Sequence, residues 1–115
     1  MNSLESLLQQ LKTSSENIEF DQVMSVITDH YDYTPSAFSN GSTFNDAGQN
    51  EGSCKIFAFA RINGLSEQQT LSCFGKYYRE DVLGNPDGDD HANIRQFIEN
   101  GWSGINFETS ALQAK

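Results

Sequence analysis

Basic residues are scarce in this chain. Seven Lys and Arg stand against sixteen Asp and Glu, a formal net charge of −9 over 115 residues. That balance repels phosphate backbones and anionic lipid, so neither nucleic acid nor a membrane surface is an expected partner. Basic proteins, cations and neutral ligands remain open. No apolar run approaches the ~20 residues of a membrane span. The start, from Met1 to Leu8, has neither a cationic lead nor an uninterrupted apolar stretch, so a Sec-type leader is not expected. There are only two cysteines, Cys54 and Cys73. Without a leader, two reduced thiols in a cytoplasmic protein are expected rather than a bridge. Internal repeats and low-complexity tracts are also missing. A chain of this length is one domain, able to bury ~65% of the surface its unfolded form exposes.

What is present is helical periodicity. Leu4, Leu7, Leu8 and Leu11 predict an amphipathic helix over residues 3–12, followed by a polar linker from Thr13 to Asn17. Phe20, Val23, Met24, Ile27 and Tyr31 form a second stripe, with Asp21 as its expected N-cap and His30 near the C-terminal dipole. Thr34-Pro35 reads as a one-turn helix start. Asn40-Gly41, between Phe38 and Thr43-Phe44, is a two-residue hairpin-turn signal. The Asn- and Gly-rich stretch up to Gly52 reads as a long irregular loop.

Cys54 to Ile62 carries mixed signals. Phe57 and Phe59 alternate as in a strand, but Ser53 suits an N-cap, Ala58 and Ala60 favour helix, and Gly64 sits where a helix terminates. Helix is the preferred reading. Ser66 and Gln69 form a capping box. From there Leu71, Phe74, Gly75, Tyr78 and Val82 predict one apolar helix face, ended by Gly84 and Pro86. Gly75 on that face implies close approach of a neighbouring helix. A last helix is expected from Asp89 or Asp90, burying Ile94, Phe97 and Ile98 and ending at Asn100-Gly101. Trp102 is expected to fold back on Phe97. Ile105 and Phe107 suit a short extended piece, and Thr109 to Lys115 a frayed tail.

Four segments together resemble the HopJ type III effector proteins: YDYTPSAFSNG (31–41), GSCKIFAFA (52–60), LSCFGKYYR (71–79) and DHANIR (90–95). The likeness runs from about Phe20 to about Phe107. It implies a small bacterial protein of a family with members injected into host cells by a type III system, and it brings no catalytic residues. Ser3, Ser6, Ser14 and Ser15 are compatible with an uncleaved export signal, and equally with an ordinary linker.

The sharpest catalytic idea is Cys54 with His91. A thiol at the first position of a helix gains from the dipole and the free N–H groups, and His91 could serve as base, oriented by Asp87, Asp89 or Asp90. The packing alternative leads, because Cys54 adjoins an apolar run. His91, three residues before Ile94, is expected as a hydrogen-bonded core histidine. Asp87, Asp89 and Asp90, with Asn85, offer oxygen ligands for a divalent cation, but capping and dipole roles come first. A zinc site finds too few ligands close in sequence. Arg79 and Arg95 sit among acids and are expected to form ion pairs. Binding residues are sought in Asn40, Gly41, Asn45, Asn50, Ser53, Lys55, Tyr77, Arg79, His91, Asn93 and Arg95. Asparagine offers donors and acceptors, and glycine admits close approach.

The expectation is a mainly α, small single-domain helical bundle of four to five helices, with a short β-hairpin around residues 38–44 as an option. Residues 1–16 form the N-terminal helix and linker, 17–108 the HopJ-like domain and 109–115 the tail. The chain is expected to act as a monomer without a cofactor, binding a protein or small molecule in the bacterial cytoplasm or after type III export. A small cysteine-dependent hydrolase or transferase using Cys54 and His91 is the alternative.

Overall fold

The structure, a computed structural model, describes residues 2–115. Asn2 starts α1 (Ser3–Thr13) by accepting the Glu5 amide at 2.8 Å, and Leu7 and Leu11 point into the core. A single 3-10 turn occupies the polar linker, and α2 (Phe20–His30) follows. Its cap is Glu19 rather than Asp21: the Val23 amide already donates to Glu19 O, so helical bonding begins a half-turn earlier than expected. Tyr31 is buried but leaves the helix. It opens β1 (Tyr31–Tyr33), because its backbone finds a partner strand far along the chain.

That partner is β5 (Leu112–Ala114), which pairs antiparallel with β1 and sets Tyr33 opposite Leu112. The tail expected to fray is therefore a strand. Ala111 and Leu112 are buried, and Ser36 Oγ both accepts the Thr109 amide and donates to Thr109 O, each at 3.1 Å. The helix start expected at Thr34-Pro35 does not form; the Thr34 amide instead donates to Ala111 O at 2.8 Å.

The hairpin is present as β2 (Phe38–Asn40) and β3 (Thr43–Asn45). Its turn residues are Gly41 and Ser42, one position later than expected, and Gly41 takes the left-handed conformation at φ +60°. A third strand, β4 (Ile105–Phe107), joins the other edge of β2 antiparallel, giving the order β3-β2-β4. The expected long loop thus reduces to the few residues between Asn45 and α3 (Glu51–Ile62).

The strand-like alternation of Phe57 and Phe59 has a helical cause. Cys54 and every residue from Ile56 to Ala60 are buried, so this helix is covered on almost all sides and shows no clean amphipathic stripe. Phe57 meets Phe38, Phe74, Phe97 and Trp102, while Phe59 meets Tyr31. Gly64 at φ +64° closes the helix. Its amide donates to Arg61 O, and the Leu65 amide donates to Ala60 O, the paired bonds of a Schellman ending.

The capping box of Ser66 and Gln69 starts α4 (Glu67–Ser72) as expected. The helix does not run on to Val82. Gly75 turns left-handed at φ +60°, and the chain resumes as a π-helical turn over Tyr77–Val82. Leu71, Phe74, Tyr78 and Val82 are still all buried. After the turn at Gly84, α5 (Ala92–Asn100) buries Ile94 and Phe97, while Ile98 faces solvent at 47% exposure. Trp102 folds back on Phe97 edge to face, with centroids 5.1 Å apart, and its indole N–H donates to Leu65 O. The result is mainly helical, with helices and two small antiparallel sheets wrapped around α3, so it is not strictly a bundle.

Gly75 combines two constraints. Its φ favours glycine, and an added Cβ would stand 2.7 Å from the backbone nitrogen of Phe20. Left-handed strain and overpacking together set the expected cost of Gly75→Ala at roughly 2–4 kcal/mol. Urea unfolding should show this as a lowered midpoint; an unchanged midpoint would mean that the α4 break and the start of α2 are not locked together.

Candidate functional site

Two helices begin at the same cleft. Asn50 precedes α3 with φ +50°, and His91 precedes α5 with φ +51°; among the described residues they are the non-glycine positions with positive φ. Neither side chain caps its helix. Between these starts lies a cleft of about 370 Å³, bordered by Gly52 and Ser53 on one side and by His91 and Ala92 on the other. Phe20, Phe74 and Tyr77 supply aromatic walls. Tyr77 meets Phe20 edge to face at 5.1 Å and leans on the His91 ring at 5.3 Å. A helix start leaves its first amides without intrahelical acceptors, so the cleft combines apolar walls with backbone donors.

His91 is not the core histidine expected. The helix starts one residue after it, which takes it off the apolar stripe, and its side chain is 29% exposed. Its Nε2 lies 3.0 Å from Asp81 Oδ2 and 3.7 Å from Asp90 Oδ2. Asp81 is on the π-helical turn, ten residues earlier, a separation that no local sequence signal announces.

Behind the cleft is a network of asparagine amides. Asn40 Nδ2 donates to Asn93 O at 2.7 Å and to Asn93 Oδ1 at 3.1 Å. Asn45 and Asn93 exchange amide hydrogen bonds at 3.1 and 2.9 Å, and Asn50 Nδ2 donates to Asn45 Oδ1 at 2.6 Å. Asn40 and Asn45 are fully buried. Both were sought as ligand contacts, and both are instead sealed inside, because the hairpin folds their side chains beneath α5. Asn50, Ser53, Tyr77, His91 and Asn93 do border the cleft. Gly41 does not; it sits at the hairpin tip beside Gln96 and Asn100. Phe20 and Phe74 were legible only as core residues, yet they form its wall.

The arginines serve the fold. Arg79 does not pair with its acidic neighbours: its Nη2 donates to Ile18 O at 2.7 Å, tying the π-helical turn to the start of α2. Arg95 does pair with Asp90, at 2.5 Å, and also donates to Asn85 O and Pro86 O. The Arg95 hydrogen bond holds the Asp90 carboxyl below its ordinary pKa. Lys55 lies over the Tyr33 ring at 4.7 Å, and both stand apart from the cleft lining. Among the described residues, no three His, Cys, Asp or Glu side chains gather into a set that could hold a metal ion, and Asp87 and Asp89 are exposed in the loop before α5.

Cys54 is at the fourth helical position, not the first, and its amide is already spent on Asn50 O. The thiol is 1% exposed and points at Ser36 O, 3.7 Å away. Burial pushes its pKa up. The thiol's contact is Ser36 O and that of His91 Nε2 is Asp81, and Cys54, unlike His91, is not among the residues that line the cleft. Both cysteines are free, and burial pushes the Cys73 thiol up to about 12.

The HopJ type III effector protein family profile matches residues 4–112, nearly the whole chain. The chain belongs to the HopJ family. The match reaches beyond the segments that carried the resemblance and takes in both α1 and the start of β5. The fold is similar to the crystal structure of VPA0580, a protein of unknown function, with a TM-score of 0.97 and 57% identity over 100% of this chain and 95% of that one. No curated protein matches. Neither relationship brings a reaction or a ligand to this HopJ cleft.

Two outcomes follow for the thiols. Native protein at pH 7 should react with iodoacetamide much more slowly than after denaturation, at both cysteines; fast native alkylation of Cys54 that His91→Ala removes would restore the cysteine-enzyme reading. The second concerns alkaline pH. A thiol pKa raised in the folded state means the folded chain holds the proton more tightly, so this stability is complete below pH about 8.5 and is lost as pH rises towards about 12. Cys73→Ala should lower stability at neutral pH yet flatten its decline between these limits. An unchanged slope would show that Cys73 is not responsible.

Proposed function

We propose that this HopJ-family protein acts by binding, and that the cleft between the starts of α3 and α5 holds the ligand. The observation that carries this is the convergence of Asn50 and His91, two strained non-glycine residues, on one cleft. Such strain persists only where surrounding structure enforces it, and it concentrates at binding and active sites. The volume of about 370 Å³ suits a small molecule or the end of a peptide. Aromatic walls offer stacking area, and the first-turn amides offer oriented donors. The buried thiol, hydrogen-bonded to Ser36 O, and the histidine, hydrogen-bonded to Asp81, supply no nucleophile–base pair, which favours binding over covalent chemistry.

The family description also supports delivery by a type III system as the setting in which the partner is met. A full-length fusion to a translocation reporter tests that part by itself: signal in host cells that depends on the secretion apparatus is expected, and its absence removes export while leaving the cleft untouched.

A small-fragment library, followed by nuclear magnetic resonance on the full chain, tests the cleft. Hits should shift the amides of Gly52, Ser53 and Ala92 and the Tyr77 ring. At a hundredfold excess over Kd a hit should stabilise the fold by ~2.7 kcal/mol. Ser53→Trp, which plugs the space from its rim, should abolish both effects while the melting transition is retained. Hits that ignore this plug, or that cluster elsewhere, would refute the assignment.

A further inference from the structure

Against the C-terminal half of α5 lies a second groove, of about 380 Å³, separate from the cleft. Val82 lies buried at its base, and Leu83, Pro86 and Ile98 form its exposed apolar surface, with Arg95 and Glu99 at its border. Leu83 and Ile98 are 53% and 47% exposed, high values for aliphatic side chains that share one depression. Isolated exposed leucines need no explanation; a shared apolar groove does.

Arg95 and Glu99 are the charged residues of its lining, and the stretch of chain that supplies the whole lining is acidic. Residues 80–99 contain six acids, Glu80, Asp81, Asp87, Asp89, Asp90 and Glu99, and all six are exposed. Arg95 is the one arginine in this stretch, and there is no lysine. Its guanidinium is turned inward onto Asp90 and the carbonyls of Asn85 and Pro86. Arg79, next to the stretch, is likewise spent on Ile18 O. These two arginines are held by the fold; Lys76, exposed four residues before Glu80, is the other cation nearby in sequence, so over residues 76–99 six acids stand against three basic residues.

We propose that this groove docks a cationic amphipathic segment of a partner protein, with apolar side chains seated on Leu83 and Ile98 and Lys or Arg side chains meeting the surrounding carboxylates. Charge complementarity selects this occupant. A second copy of the chain would bring the same six acids face to face, adding like charge to two chains that each carry a net −9. Nucleic acid and anionic lipid are repelled for the same reason. The apolar strip provides the residence time and the carboxylates the steering and the selection against neutral helices. The proposal is independent of the cleft, which shares none of the groove's lining residues.

The probe is a synthetic helical peptide of about 18 residues, five turns, with leucine on one face and lysine on the other. Its companions are a peptide with glutamine replacing lysine and a lysine–glycine peptide without leucine. Fluorescence anisotropy with the full chain should show binding of the first peptide alone, weakening as salt rises. Leu83→Asn with Ile98→Asn should weaken it by about tenfold or more, as for two anchor side chains. Glu80→Gln, Asp87→Asn and Glu99→Gln together should weaken it and flatten the salt dependence. Neutralising as many acids elsewhere, at Glu5, Asp29 and Asp32, should do neither. All substituted positions are exposed, and circular dichroism melts verify folding. Four results would overturn the proposal. They are no binding of the leucine–lysine peptide up to about 100 µM, equal binding by the Leu83/Ile98 variant, equal weakening by the remote neutralisations, or a wild-type dimer that the Leu83/Ile98 variant dissolves.

Discussion

The arrangement rests on Asn93. Its side-chain oxygen accepts from both Asn40 and Asn45, and its amide returns a bond to Asn45. An amide removed from water without partners is costly, so these side chains hold the hairpin beneath α5. Asn50 joins the same network through Asn45, which orients the residue that starts α3. One buried polar cluster therefore sets the positions of two helix starts and of the cleft between them. Asn40 Oδ1 is the atom of the network that lacks a partner.

The apolar core surrounds this cluster and is organised by α3. Phe57 touches aromatic rings from β2, α5, the α4 break and the turn after α5. A helix enclosed in this way needs covering elements on every side, and the chain supplies them with short pieces rather than long helices. The two sheets have strands of three residues each and are built from segments far apart in sequence. Gly75 and the π-helical turn serve the same end: they bend the chain so that Phe74 and Tyr78 both reach the core and Tyr77 reaches the cleft.

Three cationic groups are held by the fold. Arg79 and Arg95 donate to backbone carbonyls and close loops, and Lys55 lies on an aromatic ring. The two surface depressions differ in character. The cleft presents rings and amide donors, and the groove presents aliphatic side chains bordered by Arg95 and Glu99.

Local sequence determined the features governed by local physics: α1 from leucine spacing, the capping box at Ser66, the glycine stop at Gly64, the hairpin, the packing of Trp102 on Phe97, and the family. It also marked Asn50, Ser53, Tyr77, His91 and Asn93, five residues that do border the cleft. The rest was decided by tertiary structure. The pairing of β1 with β5 depends on residues some eighty positions apart, so the terminal segment carried no sign that it was a strand. The break at Gly75 needs the backbone of Phe20 beside it. The left-handed starts at Asn50 and His91 put Cys54 at the fourth position of its helix, with its thiol on Ser36 O, and place His91 beside Asp81, so the two residues that sequence joins as a catalytic pair have different partners. Periodicity reports which side chains prefer to be buried; only the packed chain decides what each buried or strained residue faces.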